Sequence, residues 1–182
     1  MECVAKSGDE LAAEDTAEHA DGQEEGAPGG DPACMIRSEA AGGEMTVAVS
    51  QYIVNSATGV LTENSSYGVS AGNGPTAIAV DPTSRFAYVV NRLDSTLSMY
   101  TIDPNTGNLT LNSTASNPTA TIATGTEPFR IDFDPTGKFV YVTNEGSAAS
   151  IYTVNSDGTL TNAGTTGVET GALSTAITAV SQ

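Results

Sequence analysis

The sequence predicts an all-β fold built from repeated four-stranded units, and two observations carry that expectation. The first is an internal repeat. Residues 75–91 read PTAIAVDPTSRFAYVVN, residues 128–144 read PFRIDFDPTGKFVYVTN, and nine of these seventeen positions, 53 residues apart, are identical. The second is that each copy divides into short runs rich in Val, Phe, Tyr and Thr, punctuated by turn residues. A period near fifty residues made of short β-patterned runs is the signature of a β-propeller blade, with four antiparallel strands to each unit.

The elements follow in order. Residues 46–54, then Ser56-Ala57-Thr58-Gly59 and Leu61-Thr62, form the end of a blade, because Tyr52, Gly59 and Leu61 each precede Tyr100, Gly107 and Leu109 by 48 positions. In the first whole copy, residues 76–80 make strand A and Asp81-Pro82-Thr83-Ser84 reverses the chain. Asp at the first position accepts backbone hydrogen bonds and Pro at the second presets φ, so a type I turn is expected. Asp134-Pro135-Thr136-Gly137 repeats it, with the favoured Gly at the fourth position. Strand B follows at 85–90 and 138–143, each ending on an Asn, Asn91 or Asn144. Strand C is 96–102 and 149–154, and strand D begins at Leu109-Thr110 and Leu160-Thr161 beyond further turns. Thr175-Ala176-Ile177 echoes Thr76-Ala77-Ile78 and starts one more blade. The expected map is therefore 46–70 for the end of a blade, 74–122 and 124–168 for two blades, and 171–180 for the first strand of another. That is an incomplete ring. Closed propellers need roughly four to eight blades to cover their edges and faces, so further blades or self-association must cover the open ones.

Residues 1–45 differ in kind. They hold twelve of the 22 acidic residues and two of the six basic ones, a net of −10, leaving −6 for the remainder. With few β-branched or aromatic residues this segment cannot bury enough apolar surface to offset the entropy of ordering, and it reads as a disordered acidic tail. Both cysteines, Cys3 and Cys34, and the single histidine, His19, fall within it. The thiols read as free, and with no His or Cys cluster in the folded part no metal or other cofactor is expected. The acidity and the lack of Lys and Arg clusters argue against nucleic acid as a partner. No run of about eighteen apolar residues is present, so no membrane span is expected. The low Lys content and the Ser/Thr/Gly/Asn-rich composition lean toward an extracytoplasmic location. Three triplets, at Asn64, Asn108 and Asn112, fit the glycosylation acceptor pattern.

Tyr141-Val142-Thr143-Asn144, with Tyr88-Val89-Val90-Asn91 in the first copy, resembles the YVTN propeller repeat. The longer pattern, with its Asp-Pro turn, Asn-Glu, Tyr strand and Gly-x-Leu-Thr ending, resembles the seven-bladed lactonase family typified by 6-phosphogluconolactonase, over about residues 46–180. The resemblance implies hydrolysis of a sugar lactone without a metal, and a small lactone or carbohydrate-derived ligand. That family often shows Gly-Pro-Arg-His at the start of a strand A and Asn-Glu at the end of the next strand B. Here the first motif reads Glu127-Pro128-Phe129-Arg130, with Phe in place of Arg and Arg in place of His, while Asn144-Glu145 matches.

Antiparallel connectivity alone puts the start of strand A and the end of strand B on one rim, away from the Asp-Pro turns. Glu127, Arg130, Asn144 and Glu145 share that rim, and their counterparts in the first copy are Gly74, Ala77, Asn91 and Arg92. Alternation along strand A sends Phe129, Ile131 and Phe133 to one face and Arg130 and Asp132 to the other. The candidate catalytic residues are Arg130, to polarise a carbonyl or hold an acid group, and Glu145 and Glu127, to orient water. Asn144 and Asp132 are candidate substrate-binding residues. The competing architectural readings are an Arg130–Asp132 ion pair between blades, an Asn that closes turns, and Tyr88, Tyr100, Tyr141 and Tyr152 as packing between blades. Two functions remain open: a lactone hydrolase, or a non-catalytic propeller used as a binding or surface scaffold.

Overall fold

The computed structural model describes residues 4–5, 31–41, 44–64, 68–145 and 147–169. These form fourteen strands in three sheets with no helix among the described residues. The first sheet holds β1 (Val4–Ala5), β2 (Asp31–Ala41), β3 (Glu44–Val54), β4 (Leu61–Glu63) and β5 (Val69–Ser70). The second holds β6 (Pro75–Val80), β7 (Phe86–Asn91), β8 (Thr96–Ile102), β9 (Leu109–Leu111) and β10 (Thr121–Ala123). The third runs β11 (Pro128–Phe133), β12 (Phe139–Asn144), β13 (Ser147–Val154) and β14 (Leu160–Glu169) in simple meander order. Strands A, B and C of both copies lie where the repeat puts them.

Strand D is less regular than the repeat suggests. In the second sheet it is divided, with β9 pairing the end of β8 and β10 pairing its start. The chain leaves the sheet between them, and the Met99 N–H and C=O bond Ala120 and Asn112 at the two ends of the excursion. In the first sheet β4 and β5 divide β3 in the same way.

The acidic tail needs a correction. β2, read from composition as part of a disordered segment, pairs antiparallel with β3 along its whole length, from Asp31↔Val54 to Ala41↔Glu44. A long strand such as β3 otherwise leaves one edge of N–H and C=O groups unmet, and backbone pairing satisfies them whatever the side chains are. Gly42-Gly43 lies in sequence between the two, a dipeptide suited to a two-residue hairpin. Apart from Val4–Ala5 and residues 44–45, the rest of the tail, with Cys3 and His19, and the strand expected at 171–180 lie outside the described residues.

The Asp-Pro turns form as their sequence dictates. Ser84 N–H donates to the Asp81 carbonyl at 2.8 Å and Gly137 N–H to the Asp134 carbonyl at 2.9 Å. The Asp81 carboxylate also accepts from the N–H groups of Thr83, Arg85 and Phe86, and from the Thr83 hydroxyl. Asp134 does the same for Thr136 and Phe139.

The core lies between sheets, which is what stacked blades require. Along β7 every residue is buried and alternate side chains serve different neighbours. Phe86, Tyr88 and Val90 pack with Ile131, Phe133, Val140, Val142, Tyr152 and Leu160 of the third sheet. Ala87 and Val89 pack with Val49 of the first. Three of the four tyrosines bridge blades: the Tyr88 hydroxyl donates to the Gly158 carbonyl at 2.9 Å, Tyr100 to Ser70 at 2.7 Å and Tyr152 to Ala123 at 2.7 Å.

Candidate active site at the blade rim

The rim site is built where β11 begins and β12 ends. Backbone bonds set it identically in both copies, since Arg92 N–H donates to Gly74 O at 2.8 Å and Glu145 N–H to Glu127 O at 3.0 Å. Gly74 takes a positive φ of 63°, and its counterpart Glu127 takes 50°. A residue with a Cβ in this left-handed region costs about 1–2 kcal/mol, so a carboxylate stands at a position that glycine would occupy without strain.

Its partner is Arg92, on the neighbouring blade. Arg92 Nη2 lies 3.0 Å from Glu127 Oε2 and 2.8 Å from Glu145 Oε2. These hydrogen bonds, that to Glu127 first and then that to Glu145, raise the guanidinium pKa above its ordinary value. The Arg92 Nε–H is buried and meets no acceptor among the described residues. Arg92 is the residue the sequence reading left out of the site. The signal was present in the repeat, where one position carries Arg in one blade and Glu in the next.

Phe129 departs from the expected alternation. The β11–β12 register slips between Pro128 and Arg130, and the matching slip in the first copy falls between Pro75 and Ala77. An extra residue at a bulge is turned out of the two-residue period. Ile131 and Phe133 enter the core, while Phe129 stays half-buried at the rim. There the Arg130 guanidinium lies 4.8 Å and that of Arg92 5.8 Å from its ring centroid. The two bulge residues, Thr76 and Phe129, also meet: the Thr76 hydroxyl donates to the Phe129 carbonyl at 3.1 Å.

Arg130, Glu127 and Glu145 are thus brought together around Phe129 and Arg92. Arg130 Nη1 donates to the Thr76 carbonyl at 3.2 Å, across the blade boundary. The ion pairs between described residues are those of Arg92, and the Asp132 carboxylate accepts from the Phe133 N–H at 2.9 Å. Asn144 is fully buried, and its amide donates to Ala148 O at 2.8 Å and Ser150 Oγ at 3.0 Å. Asn91 does the equivalent with Thr96 and Ser98. Gly72 and Gly125 lie against these amides so closely that a Cβ on either would fall 2.6–2.7 Å from the Asn Cγ. Each asparagine thus ties the end of strand B to the following strand, Asn91 through two hydroxyls and Asn144 through one backbone carbonyl and one hydroxyl. Among the described residues no group of three His, Cys, Asp or Glu is arranged to hold a metal. Among the same residues no helix is long and apolar enough to cross a membrane.

Residues 46–172 match the family model described as lactonase, seven-bladed β-propeller. The chain belongs to this family. Among its relatives is a 6-phosphogluconolactonase of Pectobacterium carotovorum subsp. carotovorum, 36% identical over 89 residues, which are 48% of this chain and 27% of that protein. A 6-phosphogluconolactonase of Pectobacterium atrosepticum is 33% identical over 102 residues, 55% of this chain and 31% of that protein. The periplasmic gluconolactonase of Pseudomonas aeruginosa shares the fold at a TM-score of 0.56 and 23% identity, over 70% of this chain and 36% of that one. The lactonase-family chain described here thus spans only about a third of its relatives' length.

Proposed function

We propose that the chain contributes the catalytic rim of a metal-independent lactone hydrolase acting on a sugar lactone such as 6-phosphogluconolactone. The observation that carries the reading is the gathering of two carboxylates and two guanidinium groups around one aromatic ring, on the rim opposite the Asp-Pro turns. Glu145, oriented by Arg92, takes a proton from water as its oxygen attacks the lactone carbonyl carbon. The carbonyl oxygen becomes an oxyanion facing guanidinium N–H donors of Arg130 or Arg92. The ring C–O bond then breaks, the proton returns to the alkoxide, and a hydroxy acid leaves. Glu127 orients the water from the other side of Arg92.

The test follows acid release from gluconolactone and its 6-phosphate above the spontaneous rate. Glu145→Gln is expected to lower kcat/KM by at least about 100-fold with the β-structure unchanged. A variant as fast as the parent, or a parent no faster than buffer, would sink the proposal. The second reading, a binding or surface scaffold, draws on one observation: Arg130 and Arg92 both make bonds that tie one blade to the next.

A further inference from the structure

Two arginines of neighbouring blades converge on one ring. The Arg130 guanidinium lies 4.8 Å and that of Arg92 5.8 Å from the Phe129 ring centroid, both within the reach of a cation over an aromatic face. The blade itself does not require a ring at this place. In the first copy the equivalent residue, 53 positions earlier, is Thr76, which stands at the same bulge and is also half-buried. Nor does the contact between the blades require it. The tie between the two bulges runs from the Thr76 hydroxyl to the Phe129 carbonyl, a backbone group that any residue supplies.

What the ring supplies is a fixed face for two long side chains. An arginine side chain has many rotamers, and they must be ordered before its donors can serve one place. Arg92 Nη2 is anchored by Glu127 at 3.0 Å and Glu145 at 2.8 Å, and Arg130 Nη1 by the Thr76 carbonyl at 3.2 Å. The ring adds a second hold on each group. The Arg92 Nε–H, buried and with no acceptor among the described residues, belongs to the guanidinium that lies over Phe129, and an aromatic face accepts weakly from N–H.

We infer that Phe129 is a positioning residue, whose ring face holds the Arg92 and Arg130 guanidinium groups in the orientation in which Arg92 aligns Glu145 and both groups face a developing oxyanion. The catalytic consequence rests on the hydrolytic reading above; the orientation of the two groups does not.

Two variants separate the ring face from its bulk. Phe129→Leu keeps an apolar side chain and removes the face, while Phe129→Tyr keeps both. Nitrogen-15 NMR of the arginine Nε–H groups reads the orientation in the 182-residue chain, with the Arg92 signal assigned by its absence from Arg92→Lys. An aromatic ring current displaces a proton above its face upfield, and burial slows exchange with water. The Arg92 Nε–H should be displaced and slowly exchanging in the parent and in Phe129→Tyr, and should lose both properties in Phe129→Leu. Lactone hydrolysis reads the consequence. Phe129→Leu is expected to lower kcat about 10-fold with KM within about 2-fold, and Phe129→Tyr to recover most of the loss. Circular dichroism and urea midpoints check that both variants fold as the parent does.

An Arg92 signal identical in Phe129→Leu and the parent overturns the inference whatever the activity does. So does an unchanged kcat in Phe129→Leu beside an active parent, or a Phe129→Tyr variant as impaired as Phe129→Leu, since either result reduces the ring to packing. A parent no faster than buffer sinks the hydrolytic reading instead, and the NMR comparison then decides the orientation by itself.

Discussion

Arg92 and Glu145 occupy the same place in successive blades, 53 residues apart, and Arg92 Nη2 lies 2.8 Å from Glu145 Oε2. A repeat that carried the same charge at this position would set like charges against each other at every blade boundary. Opposite charges turn the repeat into a clamp, and Glu127 completes it from the strand beside Glu145.

This predicts a charge-swap result. Arg92→Glu should lower the thermal midpoint by placing three carboxylates together, and combining it with Glu145→Arg should recover most of the loss. The difference should shrink in high salt, as it does for partly exposed pairs. Melting curves at two salt concentrations check it.

Glu127 should trade stability for function. Glu127→Gly removes left-handed strain of about 1–2 kcal/mol and gives up a half-exposed ion pair that solvent screens. Urea unfolding is expected to show a variant as stable as the parent or about 1 kcal/mol more stable, while lactone turnover falls.

At Ser84, where φ is 57° and the second copy has Gly137 at 69°, no ion pair opposes the strain. Ser84→Gly should stabilise the chain by about 1 kcal/mol, with the urea midpoint rising and the m-value unchanged.

Gly125→Ala acts in the opposite sense. Its Cβ would fall 2.6 Å from the Asn144 amide, so the buried hydrogen bonds of that side chain must shift, at a cost of about 1–3 kcal/mol. Gly72→Ala should match it at Asn91, and unfolding of both variants gives a direct comparison of the two blades.

Alkaline pH should loosen the boundary between the first two sheets. Burial pushes the Tyr100 hydroxyl from 10.0 up to about 12. A phenol that keeps its proton longer when folded contributes its full stability below pH 10 and loses it as pH rises to 12, about 2–3 kcal/mol in all. Tyr100→Phe should flatten the fall in stability between pH 10 and pH 12, measured by urea unfolding.

What the sequence determined by itself is the interior of each blade. The Asp-Pro turns, the alternating apolar runs of β7 and β12 and the recurring asparagines are local patterns, and hydrogen bonding within one sheet is enough to realise them. Composition misled at Asp31–Ala41, because a strand edge recruits backbone partners without regard to side-chain polarity. The tertiary structure alone decided what happens between blades. A one-residue slip at Phe129 moved an aromatic ring from the expected core face to the rim, and the stacking of one sheet on the next joined Arg92 to Glu127 and Glu145. Such contacts depend on the offset and rotation between sheets, and no period within a single strand encodes either.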